Sequence, residues 1–245
     1  LGRIVGLAAA AGTFAPAQAA PKQPRVLLFS HSTGYRHASI EPAVAALTTM
    51  GTEAGYAIVA SEDPAVFSAA GLDGVDAIIL ISNSTRKDDA ATEFFSESQR
   101  AAFQAFVRGG GGVVGIHAAA DSHYRWPWYG RMIGAWFTRH PPGTPTGTIR
   151  IVDPDHPANA GLPETLGRAD EWYYFDDYDP TLDVLVTLDP GSIDEADVNP
   201  NPVSWAHEFE GGRVFYTAMG HTPESYSDPN LIRHIGNGLS WVMRR

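Results

Sequence analysis

The chain carries nine histidines and no cysteine, and several of the histidines stand where the chain turns. The segment Gly109–Asp121 reads GGGGVVGIHAAAD. A glycine cluster feeds a short apolar run, and the run stops at His117 before three alanines. That pattern predicts a buried strand ending in a tight turn, with one side chain held at the tip, as in strand–turn–helix folds that carry a nucleophile there. An imidazole in that place can act as general base, general acid or metal ligand. No Ser or Cys acyl-transfer set surrounds it, so a covalent role is disfavoured. A structural, hydrogen-bonded histidine is the alternative.

A second apolar run ends in Met219-Gly220-His221-Thr222-Pro223-Glu224. Glu224 is near enough in sequence to orient His221, and a carboxylate behind a histidine fixes its tautomer and raises its basicity. In Gly34-Tyr35-Arg36-His37, Arg36 suits a planar anion or paired hydroxyls, and His37 lies just before a helix and could face a cleft. Two further segments, WFTRH at 136–140 and DEWYY at 170–174, add His140 and Glu171, which could complete a histidine–carboxylate metal site. A divalent metal is therefore a candidate cofactor, with His37, His117, His140, Glu171 and His221 as candidate ligands. The paired carboxylates of an ordinary glycosidase do not stand out.

The elements that must position these groups follow from hydrophobic periodicity. Apolar runs at 25–30, 76–82 and 112–116 read as strands buried on both faces, and 56–60 as a shorter one. Ser39–Met50 has helical spacing, and Ser96-Glu97-Ser98-Gln99 is a capping box opening another helix. Strand–helix alternation at this spacing predicts an α/β fold, flavodoxin-like, with a mostly parallel sheet flanked by helices. Ligands bind such sheets beyond the carboxyl ends of the strands, here Ser30-His31, Ser82-Asn83 and His117. The second half predicts short strands at 147–152, 172–175, 184–188, 203–209 and 214–217, long loops rich in Pro, Asp and Gly, and a closing helix over 231–242. No linker divides residues 21–245, which read as a single domain.

A formal net charge of −11 with dispersed Arg and Lys argues against nucleic acid as a partner. The absence of cysteine excludes disulfides, thiolate metal sites and a cysteine nucleophile. Arg3, an apolar run from Ile4 to Ala15 and the small-x-small site Ala17-Gln18-Ala19 predict that residues 1–20 are the remainder of a signal peptide, and hence export to the periplasm or beyond. That run is too short to span a bilayer, and no later segment is long and apolar enough.

Taken together, GYRHASI, GGGGVVGIHAAAD, IGAWFTRH, DHPA, DEWYYF, PVSWAHEFEGGRVFYTAMGH and GLSWV, in that order over residues 25–243, resemble the ThuA-like family, named for trehalose utilisation. The resemblance implies the fold of class I glutamine amidotransferases. In those enzymes the elbow carries a cysteine; here His117 takes its place, and His221 with Glu224 resembles their His-Pro-Glu element. Glutamine hydrolysis through a thioester is therefore not open to this chain. The family pattern carries across Arg36, His37, His117, His140, Glu171, Trp205, Arg213 and His221. It implies a small carbohydrate ligand and pathways that oxidise a disaccharide to a 3-keto sugar, whose carbonyl acidifies the neighbouring C–H. The combined expectation is an exported hydrolase, lyase or isomerase acting on a (3-keto-)disaccharide or glycoside. His117, His221 and Glu224 are its catalytic groups, and Arg36, His37, His140, Glu171, Trp205 and Arg213 bind substrate. The alternative is a carbohydrate-binding or accessory module without catalysis.

Overall fold

The computed structural model describes residues 22–196 and 199–245, together with Gly2. The leader expected over residues 1–20 otherwise lies outside the described residues. Five short strands are built from the apolar runs: β1 (Arg25–Phe29), β2 (Ala57–Ser61), β3 (Ala77–Ile81), β4 (Gly112–Ile116) and β11 (Gly212–Thr217). They pair in parallel in the order β2-β1-β3-β4-β11. The sheet continues antiparallel through β10 (Asn201–Phe209), β9 (Asp183–Asp189), β6 (Thr146–Ile151) and β7 (Thr165–Ala169). Because antiparallel steps alternate direction, only β10 and β6 run against the other seven strands of this nine-stranded sheet. The carboxyl ends of β1, β4, β7 and β11 therefore point the same way.

Register aligns the tips that matter. Ile116 faces Ile81 on one side and Thr217 on the other, so the residues after β3, β4 and β11 emerge side by side. β3 and β4 are buried along their whole length, which is why they read as continuous apolar runs rather than alternating ones.

Helices cover both faces. α1 (Ile40–Glu53) buries Ile40, Ala43, Leu47 and Gly51, one stripe at helical spacing. α2 (Glu97–Arg108) begins with the predicted capping box, Ser96 and Gln99 each bonding the other's backbone. α4 (Pro229–Val242) buries Leu231, His234, Ile235, Gly238, Leu239 and Val242. A Cβ on Gly238 would lie 2.7 Å from the Phe215 ring, and one on Gly112 would lie 2.7 Å from Val242. Glycine at these two positions lets α4 approach the strands closely. Phe215 and Tyr216 point to opposite faces of β11, and Ile133 of α3 (Pro127–Ile133) lies on the Tyr216 face beside Gly115. α3 and the pair β5 (Trp136–Arg139) and β8 (Tyr174–Asp176) form a cap of aromatic residues, of which only β8 is expected from the sequence, as the strand at 172–175. No helix of the described residues is long and apolar enough to cross a membrane.

Two core histidines make a measurable demand on pH. Burial pushes His123, ringed by Phe94, Phe95, Trp126 and Tyr129, down to about 3. Burial likewise holds His234, between Ser204 and the Ala158 carbonyl, at about 4. Both are neutral in the folded chain at neutral pH, while the unfolded chain protonates them near pH 6.5. The unfolded state thus binds more protons below that point, so stability is complete above it and declines as pH falls towards 4. At pH 5 each contributes a loss of about 2 kcal/mol, so the Tm is expected to drop on the order of 10 °C between pH 7.5 and 5. His123→Phe should flatten that slope in a pH series of thermal melts. A wild-type Tm constant over the same range would contradict the neutral, buried assignment.

Candidate functional site

Four loops leaving the carboxyl edge converge. β4 ends at Ile116, and His117 takes a left-handed backbone with φ 49°. That conformation costs a non-glycine residue about 1–3 kcal/mol and persists only where the surroundings over-determine it. Here they do: the Tyr216 hydroxyl donates to the His117 carbonyl at 2.8 Å, and His117 Nδ1 lies 2.7 Å from the Ala218 carbonyl. A carbonyl can only accept, so Nδ1 carries the proton and Nε2 presents its lone pair towards His221 and Glu171. Ala118, Ala119 and Ala120 are wholly buried behind it, leaving no room for larger side chains at the turn.

His221 arrives from the loop after β11, its ring 5.1 Å from that of His117 between centroids. The two therefore share one pocket. His221 Nδ1 is 3.1 Å from His117 Nε2 and 3.1 Å from Glu171 Oε2, and Glu171 Oε2 is 3.4 Å from His117 Nε2. His37, from the loop after β1, stands with its ring 4.8 Å from His117 and 5.1 Å from His221. Ligand atoms of His37, His117, Glu171 and His221 all lie within 4.8 Å of one another. His140 adds a contact from outside, with Nε2 3.3 Å from Glu171 Oε1.

The electrostatics follow from this crowding. Burial, reinforced by the nearby His117 and His221, pushes His37 down to about 3, and its buried Nδ1 has no hydrogen-bond partner. Burial also resists the charge on Glu171, but its close contacts with His117 and His221 outweigh it and hold the carboxyl well below the usual range. The Glu171 hydrogen bond raises His221. Burial pushes a second carboxyl, Asp121, up to about 6 against the hydrogen bond it accepts from Tyr124. Asp121 and Glu171 line one cleft of about 310 Å³ together with Tyr35, His37, Phe137, His140, Tyr173 and His221.

Asp170 holds this arrangement from beneath. It is fully buried. One carboxylate oxygen accepts from the backbone N–H of Glu171 at 3.0 Å and of His221 at 3.0 Å. The other accepts from Gly220 N–H at 2.9 Å and from Arg168 at 3.0–3.1 Å. Arg168 also pairs with Asp228, at the start of α4, at 2.8 Å.

Other expected site residues fall elsewhere. Glu224 is exposed in the turn 223–227 and lines a separate surface pocket with Arg168 and Asp228. The carboxylate at His221 is Glu171, because the turn after Pro223 carries Glu224 outward. Trp205 is completely buried, donates Nε1–H to the Ile133 carbonyl at 2.7 Å, and has no surface with which to meet a substrate. Arg213 sits at the opposite end of β11 from His221, paired with Glu208 at 3.2 Å and lying over Trp241. Arg36 turns to Glu41 at 2.6 Å and Glu62 at 2.8 Å and anchors its loop. Asp121 is the cleft residue that sequence reasoning passed over. Its signal was its position four residues after the elbow histidine, at the end of the alanine turn.

The sequence model of the ThuA family, described as trehalose utilisation, matches residues 25–242. The chain belongs to the ThuA family. Among solved structures it is similar to a ThuA-like protein from Bacteroides uniformis ATCC 8492, at 22% identity and TM-score 0.74, covering 94% of this chain and 95% of that one. A ThuA-like protein from Parabacteroides merdae ATCC 43184 is similar at 19% identity and TM-score 0.70, covering 91% and 90%. A GMP synthase protein from Thermoplasma acidophilum shares the fold at 12% identity and TM-score 0.52, covering 88% and 95%. No curated protein matches the chain. The ThuA-family chain thus has a class I glutamine amidotransferase-like fold, with histidine at the elbow.

The saturation of Asp170 yields a test. Asp170→Asn would remove the charge opposite Arg168 and turn an amide NH₂ towards backbone N–H groups. Unpairing a buried ion pair in this way should cost about 3–5 kcal/mol, read as a lower urea midpoint. The same variant should lose the alignment of Glu171 with His221. Unfolding that matches wild type would show that this carboxylate does not organise the loops.

Proposed function

We propose that this ThuA-family protein is a sugar-processing enzyme in which His37, His117, Glu171 and His221 hold one divalent cation facing the cleft. The observation that carries the reading is the spacing of His117 Nε2, His221 Nδ1 and Glu171 Oε2, which lie 3.1–3.4 Å apart. Ligands at 2.0–2.1 Å from a tetrahedral cation lie about 3.3 Å from each other. A His37 ring nitrogen within 4.8 Å of the other ligand atoms supports the same fit, as does the mix of imidazole and carboxylate, which suits Zn, Fe, Ni or Mn.

When bound, the cation would supply Lewis-acid polarisation of a sugar carbonyl or hydroxyl. The chain's own groups do the rest. The Ala218 carbonyl fixes the His117 tautomer, and Glu171 supplies the negative charge. Asp121, poised near neutral pH, is the cleft carboxyl suited to taking or returning a proton. These roles fit elimination, hydrolysis or isomerisation beside a keto group, the chemistry that a disaccharide oxidised at C3 makes accessible. Family membership supports the sugar assignment through trehalose utilisation. The reading includes export, supported by Arg3 and the apolar run that follows it.

Calorimetry with Co²⁺ should give one site per chain, lost in His117→Ala and kept in Glu224→Gln. His221 must shed its raised proton to bind, so affinity should rise with pH up to the His221 pKa. Purified protein loaded with metal should turn over trehalose or its 3-keto derivative, and metal-stripped protein should not. Asp121→Asn should reduce kcat by roughly 10²–10⁴-fold with metal binding retained. Sugar binding without turnover would leave a carbohydrate-binding module, and the absence of both metal and sugar binding would sink the proposal.

A further inference from the structure

We infer that Tyr35 is the platform for the second ring of a two-ring glycoside whose first ring occupies the histidine–glutamate cluster; this rests on the sugar reading above. Three large hydrophobic side chains are exposed among the described residues, Tyr35, Val59 and Val152. Isolated exposed apolar residues need no explanation by themselves. Tyr35 differs from the two valines because it is aromatic and lines the cleft that contains His37, Glu171 and His221. The residue is 66% exposed, and its ring meets the His37 ring edge-on at 4.7 Å between centroids. It therefore stands immediately outside the cluster, on the route between the cluster and solvent.

The backbone beneath this ring is immobilised, which an incidental surface tyrosine does not require. The Ser84 hydroxyl donates to the Tyr35 carbonyl at 2.7 Å, and Ser32 Oγ lies 3.1 Å from the same oxygen. Thr33 and Gly34 both donate to the Ser84 carbonyl, at 3.0 and 2.9 Å. A Cβ on Gly34 would lie 2.8 Å from Ser84 Oγ and 3.0 Å from the Thr85 carbonyl carbon, so the loop is pressed directly onto its neighbour. On the other side of Tyr35, Arg36 is clamped by Glu41 and Glu62. An aromatic ring carried on a fixed backbone at a cleft mouth has less freedom left to lose on binding than one on a mobile loop.

The chemistry of the surface selects the occupant. One face of a pyranose presents C–H groups that pack on an aromatic ring, while its rim of hydroxyls needs polar partners. The cleft supplies both, with Tyr35 and Phe137 as apolar surface and His140 and Asp121 as polar groups. The cluster at the base accommodates the reacting ring, and Tyr35 is placed for the ring attached to it. A monosaccharide would reach the cluster without covering Tyr35.

Calorimetric titration with trehalose and with glucose, and with the 3-keto form of each, tests this on wild type, Tyr35→Phe and Tyr35→Ala. Tyr35→Ala should weaken the disaccharide roughly tenfold and leave the monosaccharide unchanged, whereas Tyr35→Phe should stay close to wild type. Where turnover is present, the loss should appear in KM and not in kcat. Unaltered Co²⁺ stoichiometry in Tyr35→Ala would show the cluster intact. Equal disaccharide affinity in Tyr35→Ala and wild type overturns the inference while leaving the sugar reading standing, as does equal weakening of both sugar sizes. A wild-type protein that binds neither sugar overturns both.

Discussion

The carboxylate of Asp170 is the constraint on which the site depends. Burying an ionised group is costly unless its charge is paired and its lone pairs are filled. Asp170 meets that demand with Arg168 and with three backbone N–H groups belonging to Glu171, Gly220 and His221. The same contacts that satisfy the charge tie the end of β7 to the loop after β11. These strands lie far apart in the order of the sheet, so hydrogen bonding between neighbouring strands could not bring their ends together. A single buried anion does so, and Arg168 carries the link onward to Asp228 at the start of α4.

Above this anchor, the site is a balance between crowding and neutralisation. Three imidazoles and a carboxylate are packed together at the base of one cleft. His37 responds by remaining neutral, Glu171 by remaining ionised, and His221 by a proton affinity that the Glu171 hydrogen bond raises. Asp121 lies in the same cleft but lacks the close histidine contacts that Glu171 has, so desolvation dominates and its proton is retained to higher pH. Two carboxyl groups in one cleft with affinities driven apart are the usual condition for a division of roles.

The elbow shows how the fold and the chemistry are joined. In β4, Gly112 and Gly115 permit α4, Ile133 and Tyr216 to close on the strand. That packing fixes Tyr216, whose hydroxyl secures the strained carbonyl of His117. The imidazole is thus aimed by the core itself. A cysteine at this position would be a free nucleophile. A histidine whose Nδ1 is committed to the Ala218 carbonyl instead presents one fixed lone pair.

Much of this was legible in the amino-acid order. Periodicity and the capping box determined β1 to β4, α1, α2 and α4, because each buries a continuous run or a single stripe whose pattern is local. The histidines at strand ends were visible for the same reason, as polar residues terminating apolar runs. α3, β5 and β7 were not visible: α3 has seven residues, and its aromatic side chains and the alternating exposure of β7 make sense only against the surfaces they cover. The partner of His221 was likewise decided by tertiary structure. Nearness in sequence favoured Glu224, three residues away, but Pro223 and the turn after it carry that side chain outward. Trp205 and Arg213 share a motif with His221 yet lie in the core and at the far end of β11, since a strand spreads its residues over its length and both faces. Sequence settles what each short segment prefers to be. Which carboxylate meets which imidazole is settled by buried contacts between loops some fifty residues apart along the chain, such as those from Asp170 to Gly220 and His221.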